Sequence, residues 1–421
     1  MPGELVPAMR GTTGGRRNFK GLSGRNALPI VVYHSPRSLA YLMPSNRSRL
    51  KRRPWAVFLS AAFLFRLPLA AQTHPAPFDS LVSQANAARD RNDLPQAMNL
   101  YSQALQLDPK WQDGWWFLGS LEYGAGAYGQ ARDALSRYIE LNPDAGPALA
   151  LRGLCEFEAG DYPQALADLE RGMSLGAATQ SRNEQILRYH LAMVLTRLGR
   201  FPDALKSYSF FAEQKISSPE LMVAIGLAGL HMALLPKDVP QDQEPLVAAA
   251  GGAAFAFLAG DEEGSQKAFE DLFARFPGAR NTHYLYGYLL YTNDPQAALA
   301  EFRRELELVP SNADAAIMGA WTLLLESHAV EALPLARRAA DLEPEAAAAQ
   351  LVVGRALLET GDTSGSVEHL EHALRLEPGN LEVHIALAKC YAKLGRKDDA
   401  RRERMRCLEL TQADATKSAS P

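Results

Sequence analysis

The chain has 421 residues, 47% hydrophobic and 22% charged, with a formal net charge of −4. That composition excludes a wholly disordered or collagen-like protein. The charge is divided: residues 1–77 carry 12 Lys and Arg against the single acid Glu4, which leaves the remainder at −15 and argues against a nucleic-acid binder, whose bases must cluster.

In chain order, residues 1–42 are rich in Gly, Ser and Arg without periodicity and read as a non-structural extension. From Met43 the chain runs M-P-S-N-R-S-R-L-K-R-R-P, with five bases, then an apolar stretch of 11 residues (55–65), then R-L-P-L-A-A-Q. A basic segment, a short apolar core and small residues at a cut site form a secretory signal peptide. The expected signal covers 43–71 with cleavage near Ala71, placing the mature chain in the periplasm or outside the cell; a signal preceded by 42 residues is unusual, which points to Met43 as the alternative start to Met1. The apolar stretch is too short to span a bilayer, so no transmembrane span is expected in the mature chain.

Beyond residue 77 the sequence repeats itself. Pro109 and Pro143 are 34 residues apart, as are Pro310, Pro344 and Pro378; Ala97, Ala131 and Ala165 keep the same step, and so do Gly126 and Gly160. Such a period means stacked supersecondary units, each burying its apolar stripe against its neighbours. Within one unit, Trp115, Trp116, Phe117, Leu118 and Gly119 open a first helix. Gly126 makes a turn, Ala131 sits inside a second helix, and Pro143 stops it. Turns are expected at Gly126, Gly160, Gly199, Gly260, Gly361 and Gly395, where glycine is free to take positive φ.

This pattern resembles the tetratricopeptide repeat, written W-x2-L-G-x2-Y, then A-x3-F, then P. The second unit carries the W-x2-L-G in full with its tyrosine (Tyr123) one place late. Ala97-x3-Tyr101 with Pro109, and Ala298-x3-Phe302 with Pro310, carry the second half; Ala204-x3-Tyr208 keeps the spacing and lacks the proline. The resemblance implies an all-α fold, an α-α superhelix of about nine helix-turn-helix repeats. The units are 78–111, 112–145, 146–179 and 185–218 (an N-terminal array over 78–218), and 246–279, 280–312, 313–346, 347–380 and 381–414 (a C-terminal array over 246–414). Residues 219–245 form an extra helix followed by the loop P-K-D-V-P-Q-D-Q-E-P, read as an unpaired helix, a degenerate tenth unit or a joint between the arrays. Residues 415–421 read as a disordered tail.

Catalytic signatures fail. Gly124, Gly126 and Gly129 spell G-x-G-x-x-G, but a dinucleotide fingerprint needs a preceding strand, and here the glycines fall in a helix–helix turn. No H-E-x-x-H, G-x-S-x-G or G-x-x-x-x-G-K-[ST] occurs. His369 and His372 share a helix face, which is short of a metal site's ligand count. Cys155, Cys390 and Cys407 are too few for a disulfide framework; they read as thiols in small apolar positions, with a Cys390–Cys407 bridge the alternative. Neither cofactor nor metal is expected, and the chain reads as non-enzymatic.

What remains is surface recognition. The resemblance implies that first helices line a concave face and supply the contacts. Mapping the family's contact places gives Trp116, Tyr123, Phe157, Tyr189, Met193, Arg197, Phe257, Tyr284, Tyr288, Tyr291 and Trp321, with Arg355 and Lys389 near the end. The family's carboxylate-clamp subtype does not fit, since the first three units offer only Asn86 and Arg89 against Asp79, Asp90 and Asp113. Tyr284, Tyr288 and Tyr291 are spaced i, i+4, i+7 and share one helix face; Tyr128, Tyr162 and Phe201 follow turn glycines and are expected to pack between helices. The expected partner is a protein or peptide with apolar or aromatic segments. An envelope scaffold or assembly factor, and an enzyme with an unrecognised site, are the alternatives.

Overall fold

Proline and glycine punctuation sets the helix boundaries. The computed structural model describes residues 76–178 and 181–419, so the expected extension and signal peptide lie outside the described residues. Among those described, all regular structure is helical. The first eight helices form four pairs: α1 (Ala76–Asp90) with α2 (Leu94–Leu107), α3 (Gln112–Gly124) with α4 (Tyr128–Leu141), α5 (Gly146–Ala159) with α6 (Tyr162–Ser174), and α7 (Ser181–Arg197) with α8 (Phe201–Glu213). Then come α9 (Pro219–Gly229), a 3₁₀ turn (Pro236–Asp238), α10 (Glu244–Leu258) and α11 (Glu262–Arg275). Four more pairs follow: α12 (Thr282–Leu290) with α13 (Pro295–Leu308), α14 (Ala313–Leu325) with α15 (Ala329–Leu342), α16 (Ala347–Thr360) with α17 (Thr363–Leu376), and α18 (Leu381–Lys393) with α19 (Lys397–Ala419). Each pair packs on the next, giving an α-α superhelix.

The predicted turns form at the predicted residues: Gly126, Gly160, Gly199, Gly260, Gly361 and Gly395 all hold φ between 74° and 100°. An aspartate then caps the following helix in several units. Asp93, Asp161, Asp261 and Asp362 accept a backbone N–H from Gln96, Gln164, Gly264 and Gly365, satisfying a donor that the first helical turn leaves free. The repeating alanines Ala97, Ala131, Ala165, Ala204, Ala298 and Ala332 are fully buried, and so are Tyr101, Tyr208, Phe269 and Phe302, the aromatic residues four places after an alanine or serine. Small residues admit the neighbouring backbone, and each ring buried beside one contributes about 1.5–3 kcal/mol.

The insert departs from the period. α9 packs along α10, and α10 packs in turn on α11. A Cβ at Gly226 would lie 1.9 Å from the Val247 carbonyl oxygen, and one at Gly251 1.7 Å from that of Met222. The two backbones therefore touch, and only glycine fits at either point. One apolar cluster runs from Trp116 through α9 and α10 to Leu289, so the insert carries the core across from one set of repeats to the next. At the far end, α19 continues to Ala419; the stretch 415–419, expected as a tail, is helical because no proline or glycine interrupts the chain between Gly395 and Pro421.

Two acids interrupt the core at equivalent positions, 34 residues apart. Glu156 is 4% exposed and Glu122 half-buried, and each has an Oε2 atom without a hydrogen-bond partner. Burial, then Asp133, pushes the Glu122 carboxyl up to about 7. Burial, then Asp168, does the same to Glu156, against the nearby Arg152 and Arg132, also to about 7. Arg152 is committed to Asp168 by two hydrogen bonds, at 2.5 and 2.9 Å. Because both carboxyls titrate higher in the fold than in the unfolded chain, their neutral forms favour folding. That contribution is complete below about pH 4 and is lost as pH rises through about 7. Replacing both with glutamine is expected to flatten the fall in melting temperature between about pH 5 and pH 8 and to raise it at the upper end. Thermal melts of the two proteins across that range check it.

Candidate partner-binding surface

The two helices of each pair take different places. Successive first helices touch one another: α3 meets α5, α5 meets α7, α12 meets α14, α14 meets α16, and α16 meets α18. Each second helix packs on the first helices before and after it, so the first helices form the inner ring of the superhelix. Side chains that recur at one place in the repeat line up along that ring.

Tyr288, Trp321, Arg355 and Lys389 are such a set, separated by 33, 34 and 34 residues. The Arg355 guanidinium lies 4.7 Å from the Trp321 ring centroid, within cation–π range. It also reaches Glu359 at 3.3 Å and Glu382 at 3.9 Å. Beside it, a cleft of about 390 Å³ opens between α16 and α18, lined by Leu358, Ile385, Ala386, Lys389 and Lys393 among others. Lys389 is exposed, whereas the Lys393 ammonium donates to the Leu358 carbonyl at 3.4 Å. Tyr291 extends the aromatic end of the row, its ring 5.6 Å from that of Tyr288. Both tyrosines are half-buried, and burial, then Tyr291 and Asp203, pushes the Tyr288 hydroxyl up to about 12.

Four predicted contact residues belong to the core instead. Trp116, Phe157, Tyr189 and Tyr284 are only 4–8% exposed. Trp116 packs on Tyr138 at 5.7 Å, Phe157 on His190 at 5.1 Å, and Tyr189 on Tyr208 and Phe211, each at 6.4 Å. Tyr284 lies between Phe302 and His231. Their rings reach the second helix of the same unit or a neighbouring element, so packing closes over them. Met193 is buried likewise. Tyr123, Arg197, Phe257 and Trp321 are half-buried. Arg197 sits over the Tyr162 ring and donates to the Ala233 carbonyl, tying α7 to the chain beyond α9. Tyr128 and Tyr162 stand edge-on to Tyr123 and Phe157, within the helix pairs as expected.

The tyrosine ladder has a support that the repeat pattern does not announce. Phe201 stacks on His231 at 4.4 Å, His231 meets Tyr284 at 4.6 Å, and Tyr284 stacks on Tyr288 at 6.2 Å. The His231 imidazole is held by Asp314 at 2.9 Å. The ladder is therefore braced from α8, the end of α9 and α14 together. Its root is a buried polar network. The Glu305 carboxylate accepts from the backbone N–H groups of Asn281 (2.8 Å) and Tyr284 (3.2 Å) and from the Asn312 side chain (2.9 Å). Asn281 in turn donates to the Leu230 carbonyl at 2.8 Å. This acid stands where Ala104, Ala339 and Ala373 stand in other units, and that break in the repeat is the signal that marks it in the sequence.

The remaining motifs lie within the helices and turns of the repeats. The G-x-G-x-x-G run forms the turn between α3 and α4. His369 hydrogen-bonds Gln350 at 2.8 Å, while His372 faces Glu345 at 3.6 Å. All three cysteines are free, and the Cys390 sulfur lies 3.2 Å from the Ser366 hydroxyl. No helix among the described residues is long and apolar enough to cross a membrane.

Family models described as tetratricopeptide repeats match residues 82–146, 118–177, 329–380 and 357–406. No curated protein matches the chain. Among solved structures, a double mutant of MamA RS-1 is 19% identical, covering 41% of this chain and 97% of that one, with a TM-score of 0.37. MamA from residue 41 onward of Desulfovibrio magneticus RS-1 is also 19% identical, covering 41% and 96%, with a TM-score of 0.35. Residue spacing, helix pairing and the repeated family matches agree: the chain is a tetratricopeptide repeat protein.

Proposed function

We propose that this interaction scaffold is an exported, non-enzymatic protein that holds a protein or peptide segment along its inner face. The observation that supports the reading is the row Tyr288, Trp321, Arg355 and Lys389 with the cleft beside it. Half-buried aromatic rings on a rigid scaffold offer broad contact area at little entropic cost. The partner segment lays apolar or aromatic side chains on Tyr288, Tyr291 and Trp321, and Lys389 meets a polar or acidic group beyond them. The acidic body favours such a partner over nucleic acid. Export rests on the basic and apolar run at 43–71; amino-terminal sequencing of the native protein tests it, with Gln72 the expected first residue and a retained 55–65 stretch the contrary one.

The binding test is affinity capture from native extract with the chain beginning at Gln72. Tyr288→Ser, Tyr291→Ser and Trp321→Ala together are expected to weaken partner affinity at least about tenfold, ~1.4 kcal/mol. The fold should hold, because Tyr284 and the buried network are left in place. Undiminished capture by the triple variant would remove the inner row from the reading.

A further inference from the structure

A second cleft, of about 420 Å³, opens on the other side of α12, between the second helices α11 and α13 and so away from the inner ring. Its apolar wall is aromatic: Phe269 stacks on Tyr286 at 4.2 Å, and Phe273, which stacks on His283 at 3.9 Å, lies beside them. Phe273 and Tyr286 are half-buried and line the opening. Glu270, Asp294 and Glu301 line it as well. All three act on the Tyr286 hydroxyl, which burial, then Glu301, Glu270 and Asp294, pushes above its usual range.

No lysine or arginine is among the cleft's described lining residues. Glu301 meets His283 at 2.6 Å, Glu270 accepts from Gln266 at 3.0 Å, and Asp294 caps α13 by accepting from Ala297 at 3.0 Å. Elsewhere on these helices Asp271 is met by Arg275 at 3.1 Å and Glu307 by Arg304 at 2.8 Å. Partly open aromatic rings bordered by carboxylates with no lysine or arginine in the lining complement a flat, delocalised positive group, which stacks on the rings while its N–H fork meets the acids. An ammonium is bound less well there, because it is more strongly hydrated and does not stack.

We propose that this outer cleft between α11 and α13 binds an arginine side chain from an extended segment of a partner protein. The site is separate from the inner row, so the chain has two recognition surfaces on opposite sides of α12.

The test is isothermal titration of the full mature chain with a capped glycine peptide carrying two arginines, alongside its lysine and citrulline counterparts. The arginine peptide is expected to bind saturably, the lysine peptide at least fivefold more weakly, and the citrulline peptide not at all. Glu270→Gln with Asp294→Asn should weaken arginine-peptide binding at least fivefold. Both residues are exposed, and asparagine retains the helix cap, so circular dichroism should be unchanged. Tyr288→Ser with Tyr291→Ser should leave the affinity as it was, which separates this site from the inner row. Equal binding of the citrulline or lysine peptide, unchanged affinity in the Glu270 and Asp294 variant, dependence on Tyr288 and Tyr291, or no saturable binding would each overturn the proposal.

Discussion

Gly226→Val in α9, or Gly251→Val in α10, is expected to destabilise the protein by about 3 kcal/mol or more, beyond the usual cost of overpacking a core. The obstruction at each position is backbone: the Val247 carbonyl oxygen at 1.9 Å and that of Met222 at 1.7 Å from a built Cβ. No change of rotamer relieves such a contact, so the two helices must separate. Because the apolar cluster runs through them from Trp116 to Leu289, separation also uncouples the repeats on either side. Repeat arrays are held by nearest-neighbour interfaces, so the single transition expected of the native protein should split into two. Calorimetry of the native and variant proteins shows this directly, and a variant that melts in one step close to the native temperature would contradict it.

Glu305→Ala is the second large effect. By the logic of the repeat, alanine belongs here, since Ala104, Ala339 and Ala373 occupy the equivalent place and are fully buried. A consensus argument would expect the substitution to stabilise. The structure leads to the opposite result. Glu305 is fully buried, and its removal leaves the N–H groups of Asn281 and Tyr284 without their acceptor and takes one of two acceptors from the Asn312 amide. An abandoned buried donor costs about 1–3 kcal/mol, so a loss of at least about 3 kcal/mol is expected from the group. Urea unfolding measures it; an unchanged or raised midpoint would show that the network carries no net stability. Since Asn281 occupies the cap position at the start of α12, which bears Tyr284 and Tyr288 and ends just before Tyr291, the same variant should loosen the inner tyrosine row.

These two sites mark where the repeat pattern ceases to inform. The 34-residue step places the glycine turns, the buried alanines and the aromatic residues four places beyond an alanine, because all of them follow from each unit packing on copies of itself. The same step, by spacing alone, lines up Trp321, Arg355 and Lys389. The crossing of Gly226 with Gly251 has no periodic counterpart: it joins an element that occurs once to the repeats beside it. Tyr284 illustrates a different limit. Its i, i+4, i+7 spacing with Tyr288 and Tyr291 correctly puts the three on one face, and the rings do form a ladder. How far packing closes over that face depends on His231, which arrives from the end of α9 with φ 56° and covers the first ring only. The outer cleft leaves no mark in the sequence for a similar reason. It exists because α11 packs closely on α10 and only lightly on α12, a matter of spacing between units and not of any one unit's pattern.

Site-specific photo-crosslinking in the native compartment tests the inner face most directly. A benzophenone side chain is placed singly at Tyr291, at Lys389 and, as the outer control, at Val330, which is 77% exposed at the start of α15. The same partner should be trapped from Tyr291 and Lys389 and not from Val330. A partner trapped from Val330, with none from the two inner positions, would contradict the assignment of the inner row as the binding surface.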